Sequence, residues 1–258
     1  MAMRTSLILS SSLERSWVTG VWSAMRLLGG WCGCAEGVEG LTGGLRRGLA
    51  TQPSFRYLAA VNFLAHLLLS GPNDDLIVGN FAAEAVRGRA ALEAYPAAVQ
   101  RGIRLHRLID SFTDNHPVVR RSTARLREQG LGKWAGVVAD VGYDHLLARD
   151  FARYTYRPQE PLAAFSQRMY TILQARHNEL PERLQHMFRY MREGDWLTGY
   201  AQPEGLARAL DGLSRRVPGA EVLATGGAAF LAERPAYEMD FEEFWPEVRA
   251  AVDELINT

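Results

Sequence analysis

The chain has 258 residues, with 29 basic and 29 acidic side chains and a formal net charge of zero. That length suffices for one large domain or two small ones with a sizeable core, and the charge balance excludes a generally basic nucleic-acid binder. Residues 1–60 carry six Arg against three Glu, leaving the remainder net acidic by three, and no run approaches the roughly eighteen apolar residues of a membrane span.

The two cysteines, Cys32 and Cys34, both fall in this first segment. They are too close for an ordinary disulfide loop, and neither a third Cys nor a nearby His completes a zinc site. A chain otherwise without cysteine suits the reducing cytoplasm, the localisation expected here. Residues 1–60 are rich in Gly, Ser, Arg and Trp, with patches such as GGWCGC and GLTGGLRRG, and show no sustained helical or strand period. Three readings compete for them: an Arg- and Ser-rich transit peptide, a disordered extension, or upstream sequence ahead of a start at Val61. We favour the third, because the patterned part opens abruptly with VNFLAH.

From Val61 onward the pattern is helical almost throughout, and long alternating β-branched runs are missing. A short apolar helix is expected over 62–69, closed by the SGPN turn at 70–73. Asp74 is expected to cap a second helix that passes Asn80 and Glu84, reaches Arg87 and stops at Gly88. Pro96 suits the first turn of a third helix through His106 and Asp110, which the Asn115-His116-Pro117 break ends. Pro117 opens an Arg-rich helix to about Gln129, and another runs from Trp134 to about Arg149. Further helices are expected over 161–177, 181–193, 203–215, 221–233 and 240–256, the last with Asp240 and Glu243 in a capping-box-like start. No linker or internal repeat divides the chain after residue 60. The expectation is a single compact all-α, multi-helix domain over 61–258.

Chemistry concentrates between Gly102 and His145. His106, Asp110 and Asp114 recur every four residues, which stacks an imidazole and two carboxylates on one helical face. Asp140 and Asp144 repeat the spacing on another helix, with His145 beside them, and His66 sits on the apolar first helix. Two such faces turned together would supply the oxygen and imidazole donors that divalent metals use to activate water. The bland alternative is a buried, mutually satisfied His106–Asp110 pair. Glu84 shares a face with Asn80, and composition alone favours a surface carboxylate paired with Arg87 or Arg89. His116 reads as a helix terminator, and His177 and His186 as structural or exposed. Arg101, Arg104 and Arg107 repeat every three residues, and Arg120, Arg121, Arg125 and Arg127 follow. Beside an anionic site they suit a phosphate or an acidic partner; otherwise they form a solvated face. The aromatics Trp134, Tyr143, Phe151, Tyr154, Tyr156, Trp196 and Trp245 are expected in the core.

The segments VNFLAHLLLSGPNDDLIVGNFAAEAVRG, GIRLHRLIDSFTDNHPVVRRS and DVGYDHLLA, with DWL at 195–197, together resemble the acyl carrier protein phosphodiesterases. The resemblance covers the chain except its first 60 residues, and members of that family begin with Met-Asn-Phe or a close variant, in keeping with a start at Val61. It implies an HD-like, all-helical enzyme, distantly related to the HD-type metal phosphohydrolases. Such an enzyme hydrolyses the phosphodiester between 4′-phosphopantetheine and a serine of acyl carrier protein, using a divalent cation such as Mn²⁺, with Mg²⁺, Fe²⁺ or Co²⁺ as alternatives. Carried over, His66, His106, Asp110 and Asp144 become metal ligands. Glu84 or Asp140 orients water or completes the coordination, and His145 protonates the leaving serine oxygen. The acidic carrier makes Arg101, Arg104, Arg107, Arg120 and Arg121 docking residues. Two positions depart from the family pattern: Glu84 stands where many members have Asp, and Leu68 where some have a second His. Two other functions remain open, an HD-like phosphohydrolase of nucleotides or other small diesters and a non-catalytic helical module for an acidic partner. No nucleic-acid or membrane partner is expected.

Overall fold

Local chemistry sets where the helices begin and end. The structure is a computed structural model and describes residues 62–257, so the expectations for residues 1–60 lie outside the described residues. Helix α1 (Phe63–Leu69) is the apolar stretch FLAHLLL, buried at every position but Ala65. Helix α2 (Asp74–Ala82) is capped by Asn73, whose Oδ1 accepts from the amides of Asp75 and Leu76 at 2.9 and 3.1 Å. The cap thus falls one residue before the expected Asp74, which joins Asp75 in the first turn, where carboxylates oppose the positive helix end. Instead of running on to Arg87, the chain tightens into a single 3₁₀ turn at Ala83–Ala85 and becomes extended at Val86.

After the short α3 (Gly88–Glu93), α4 (Ala97–Asn115) is the long helix carrying the His106/Asp110 face. His116 adopts an extended conformation before Pro117, as the steric demand of a following proline requires, and Pro117 opens α5 (Pro117–Leu126). A loosened turn at Arg127–Leu131, with Gly130 at φ +90°, leads towards α6 (Ala135–Arg149). The rest follows as α7 (Phe151–Tyr154), α8 (Leu162–Ala175), α9 (Glu182–Glu193), α10 (Trp196–Gly199), α11 (Pro203–Arg216), α12 (Leu223–Ala232) and α13 (Arg234–Asn257). The described residues form thirteen α-helices and no strand. No helix among them is long and apolar enough to cross a membrane.

The last helix corrects one expectation. It begins at Arg234 rather than Asp240, so Asp240 and Glu243 lie inside it and form no capping box. Asp240 is buried, and its carboxylate accepts from Ser122 Oγ at 2.5 Å, Arg121 Nε at 2.7 Å and Arg125 Nη1 at 2.9 Å. Those partners on α5 claim the side chain that a cap would need, and they fasten α13 to α5.

Helix α6 is apolar nearly all round, which is the pattern of a helix buried on every side. It touches α1, α5, α11, α12 and α13. Tyr143 on α6 meets Phe241 and Phe244 of α13, and Tyr154 meets Phe241 and Trp245. Tyr143, Phe151, Tyr154 and Trp245 are core residues as expected. Trp134 and Trp196 are only half-buried, and Tyr156 is exposed, with the Arg249 guanidinium 4.0 Å above its ring.

One crossing positions the functional face. Helices α2 and α4 meet backbone to backbone at Gly79 and Gly102. A Cβ on Gly79 would fall 2.1 Å from Val99 O, and one on Gly102 would fall 2.5 Å from Leu76 O. Only glycine permits that approach. It sets Asn80, next to Gly79, against His106, one turn beyond Gly102.

Candidate active site

Asn80 organises the site. It is fully buried, and its Nδ2 donates to the backbone carbonyl of His66 and to Ser70 Oγ, each at 2.9 Å. A carbonyl only accepts, so the amide nitrogen must face it and Oδ1 must face the other way. There Oδ1 meets two imidazoles, His66 Nδ1 at 3.0 Å and His106 Nδ1 at 2.9 Å. Since that oxygen in turn only accepts, both rings must carry hydrogen on Nδ1. Neutral rings in this tautomer present bare Nε2 lone pairs on the far side.

Those two Nε2 atoms converge on carboxylates. His66 Nε2 lies 3.2 Å from Asp110 Oδ1, and His106 Nε2 lies 3.3 Å from both Asp110 Oδ2 and Glu84 Oε1. The rings stack with centroids 4.2 Å apart. His66 Nε2 is buried and makes no hydrogen bond. Lone pairs turned toward carboxylate oxygens repel unless a proton or a cation sits between them. One donor atom from each of His66, His106 and Asp110 lies within 4.8 Å of the others, the spread of a set that can hold one metal ion. The hydrogen bond to the far ring nitrogen that orients metal-ligating histidines is in place for both rings, supplied by the single amide of Asn80.

The electrostatics follow from burial and from these pairs. Burial pulls His106 down, but Asp110 and Glu84 outweigh it and hold the ring above the usual imidazole range. Burial alone would raise Asp110, whereas His106 and His66 bring it down to about 2. Asp140 is pushed well above the usual carboxylate range, first by burial and then by Asp114, Asp110, Asp144 and Glu84. Asp140 therefore shares the field of this acidic cluster.

The structure brings together His66, His106, Asp110 and Glu84, with Asp140 close by. Glu84 is no surface residue: it is half-buried against His106, while Arg87 donates to its backbone carbonyl at 3.2 Å and Arg89 pairs with Glu93. Asp144 does not join the converging donors. It is fully buried, and its two oxygens accept from the amides of Leu64 and Ala65, each at 2.9 Å, at the start of α1. Burial pushes this carboxyl up to about 8, against the pull of those two donors. His145 turns elsewhere, its Nδ1 donating to the Tyr200 carbonyl at 2.7 Å. Burial lowers it, and the charges that reach it belong to Arg149, Arg234 and Asp150 rather than to the cluster.

The expected docking arginines separate in the same way. Arg107 donates to Val86 O at 3.4 Å beside the site, and Arg104 bonds Gln100 one turn earlier on α4. Arg101 reaches Ile256 O near the end of α13, and Arg120 bonds Asn115. Arg121 is occupied by Asp240 and Glu243. His116 packs on Phe112 and Phe244 and meets Glu247 at 3.1 Å. Sequence reasoning left Asn80 without a role. Its signal was present all the same, an amide inside an apolar helix one residue after a glycine.

An all-helical frame holding two co-oriented imidazoles against two carboxylates defines a protein with a candidate metal centre. The chain belongs to the acyl carrier protein phosphodiesterase family, whose profile matches residues 61–248. It is 31% identical over 188 residues to the acyl carrier protein phosphodiesterase of Enterobacter sp. (strain 638), covering 73% of this chain and 95% of that protein. It is 32% identical over 190 residues to that of Salmonella agona (strain SL483), covering 74% and 96%. No solved structure matches the chain.

Proposed function

We propose that this chain is a metal-dependent phosphodiesterase that removes 4′-phosphopantetheine from holo-acyl carrier protein and leaves apo-carrier. The family supports the substrate, and the two bare Nε2 atoms facing Asp110 are the observation that carries the chemistry. In this reading His66, His106 and Asp110 hold the cation, Mn²⁺ or another divalent ion. When bound, the cation supplies Lewis-acid polarisation of the phosphoryl oxygen and lowers the pKa of water.

The protein's own groups do the positioning. Asn80 locks both rings with Nδ1 protonated, so neither has to reorganise to expose its Nε2. Glu84 and Asp140 are the carboxylates left to orient water and to pass a proton toward the leaving serine oxygen. We assign that task to them rather than to His145, whose ring is held by the Tyr200 carbonyl. Asp144 serves by tying α6 to the start of α1, which fixes His66 in place.

Purified protein should release phosphopantetheine from holo-carrier in the presence of Mn²⁺ and stop on chelation. His106→Ala and Asp110→Ala should abolish both turnover and metal content. Absence of turnover with every divalent metal tried, or turnover that survives chelation, would refute the proposal. Turnover of small diesters alone would favour the second enzymatic reading.

A further inference from the structure

A cluster of arginines gathers on the Glu84 side of the site, drawn from three separate elements. Arg87 follows the 3₁₀ turn, Arg107 comes from α4, and Arg183 stands in the first turn of α9, which packs on that same turn. The carbonyls of Glu84 and Val86 anchor the first two, accepting from Arg87 Nη2 at 3.2 Å and Arg107 Nη2 at 3.4 Å. The field of Arg87 reaches both Arg107 and Arg183, and Glu84 also acts on Arg183. Among the described residues neither Arg107 nor Arg183 has a carboxylate at ion-pair distance. Several arginines farther from the site, Arg121, Arg125, Arg149, Arg153, Arg168 and Arg176, are paired with acid groups, whereas Arg101, Arg104 and Arg120 have carbonyl or amide partners. Guanidinium groups brought from three elements to the Glu84 turn make a place where an anion is stabilised.

We infer that Arg87, Arg107 and Arg183 form an anion-binding rim that takes a phosphoryl group next to the His66–His106–Asp110 donors. The identity of the anion rests on the phosphodiesterase reading above: a diester monoanion before cleavage, and the phosphomonoester of the released arm after it. The existence of the rim does not. Planar guanidinium forks suit phosphate oxygens in pairs, and the extra charge of the monoester would be met by the same three groups. An acidic side chain of the carrier would find the same chemistry, so the test separates the two sources.

Inorganic phosphate is titrated calorimetrically into the full chain and into Arg183→Ala, Arg183→Lys and Arg87→Ala. All are held in one divalent-cation buffer, so that any metal contribution is common to them. Circular dichroism verifies that each variant is folded. Each Ala variant should bind phosphate about 10-fold to 100-fold more weakly, the loss expected for a charge-assisted hydrogen bond, with Arg183→Lys between Ala and wild type. KM should rise together for holo-carrier and for bis(p-nitrophenyl) phosphate. Phosphate binding equal in all four proteins, or absent from wild type, overturns the inference. So does a raised KM for holo-carrier alone with phosphate affinity intact, which would make these arginines contacts to the carrier surface. Phosphate binding that behaves as expected in a chain inactive on any carrier would keep the rim and refute the enzymatic reading instead.

Discussion

Replacing Asn80 by Ala separates the stability of this protein from the readiness of its donors. The change deletes four hydrogen bonds: two to the imidazole Nδ1 atoms, one to the His66 carbonyl and one to Ser70 Oγ. The His66 carbonyl remains satisfied, because Ser70 donates to it from both N and Oγ. The two Nδ1–H groups have no such replacement. If they stayed protonated in a dry pocket, each orphaned donor would cost about 1–3 kcal/mol, or about 2–6 kcal/mol together. The rings have a cheaper escape. Moving each hydrogen to Nε2 aims it at Asp110 or Glu84, 3.2–3.3 Å away. Most of the stability then returns, leaving a loss of about 2 kcal/mol for the bonds not replaced, but both bare Nε2 lone pairs are gone. Metal affinity should fall about 10-fold to 100-fold, the usual consequence of losing the group that holds a ligating imidazole by its other nitrogen. Urea unfolding in chelator measures the first quantity and calorimetric metal titration the second. ¹⁵N NMR of the imidazoles reports the tautomer directly. Asn80→Ala rings that still carry hydrogen on Nδ1, or unchanged metal affinity beside lost stability, would refute the argument.

Gly102→Ala drives a Cβ to 2.5 Å from Leu76 O, backbone against backbone, and should destabilise by about 2–3 kcal/mol in chemical denaturation while loosening metal binding. Glu84→Asp withdraws the carboxylate by about 1 Å from His106, which it already reaches, and should lower turnover about 100-fold. Unchanged or faster turnover would mean that the 3₁₀ turn shifts to compensate. Arg121→Ala breaks the ties to Asp240 and Glu243 and should cost about 1–2 kcal/mol while leaving KM for holo-carrier unaltered; a raised KM would restore the docking role expected from sequence. Burial holds His145 below its ordinary range, so between its folded pKa and the unfolded value near 6.5 the unfolded chain binds more protons. Stability should therefore fall as pH drops below about 6.5, by at most about 1.4 kcal/mol per pH unit from this group. His145→Asn, which keeps a donor for the Tyr200 carbonyl, should remove that component from the pH–stability curve.

The helical class and most helix positions are local properties, and they were legible because 3.6-residue periodicity, Pro117, Pro203 and the absence of β-branched alternation act within a few residues. The His106–Asp110 pair was legible for the same reason: a four-residue step on a helix puts two side chains together whatever the rest of the chain does. Asp144 and His145 were not separable by spacing. Adjacent residues on a helix point about 100° apart, and only the packing of α6 decides that one caps α1 while the other meets the Tyr200 carbonyl. The start of α13 was misplaced because Asp240 looks like a cap when read locally but is held by Ser122, Arg121 and Arg125 on α5.

The sequence by itself determined an all-helical chain and a histidine–carboxylate face between Gly102 and His145. Tertiary structure alone decided which donors converge, because His66, Asn80, Glu84 and His106 come from separate turns that meet only where Gly79 and Gly102 let two backbones touch.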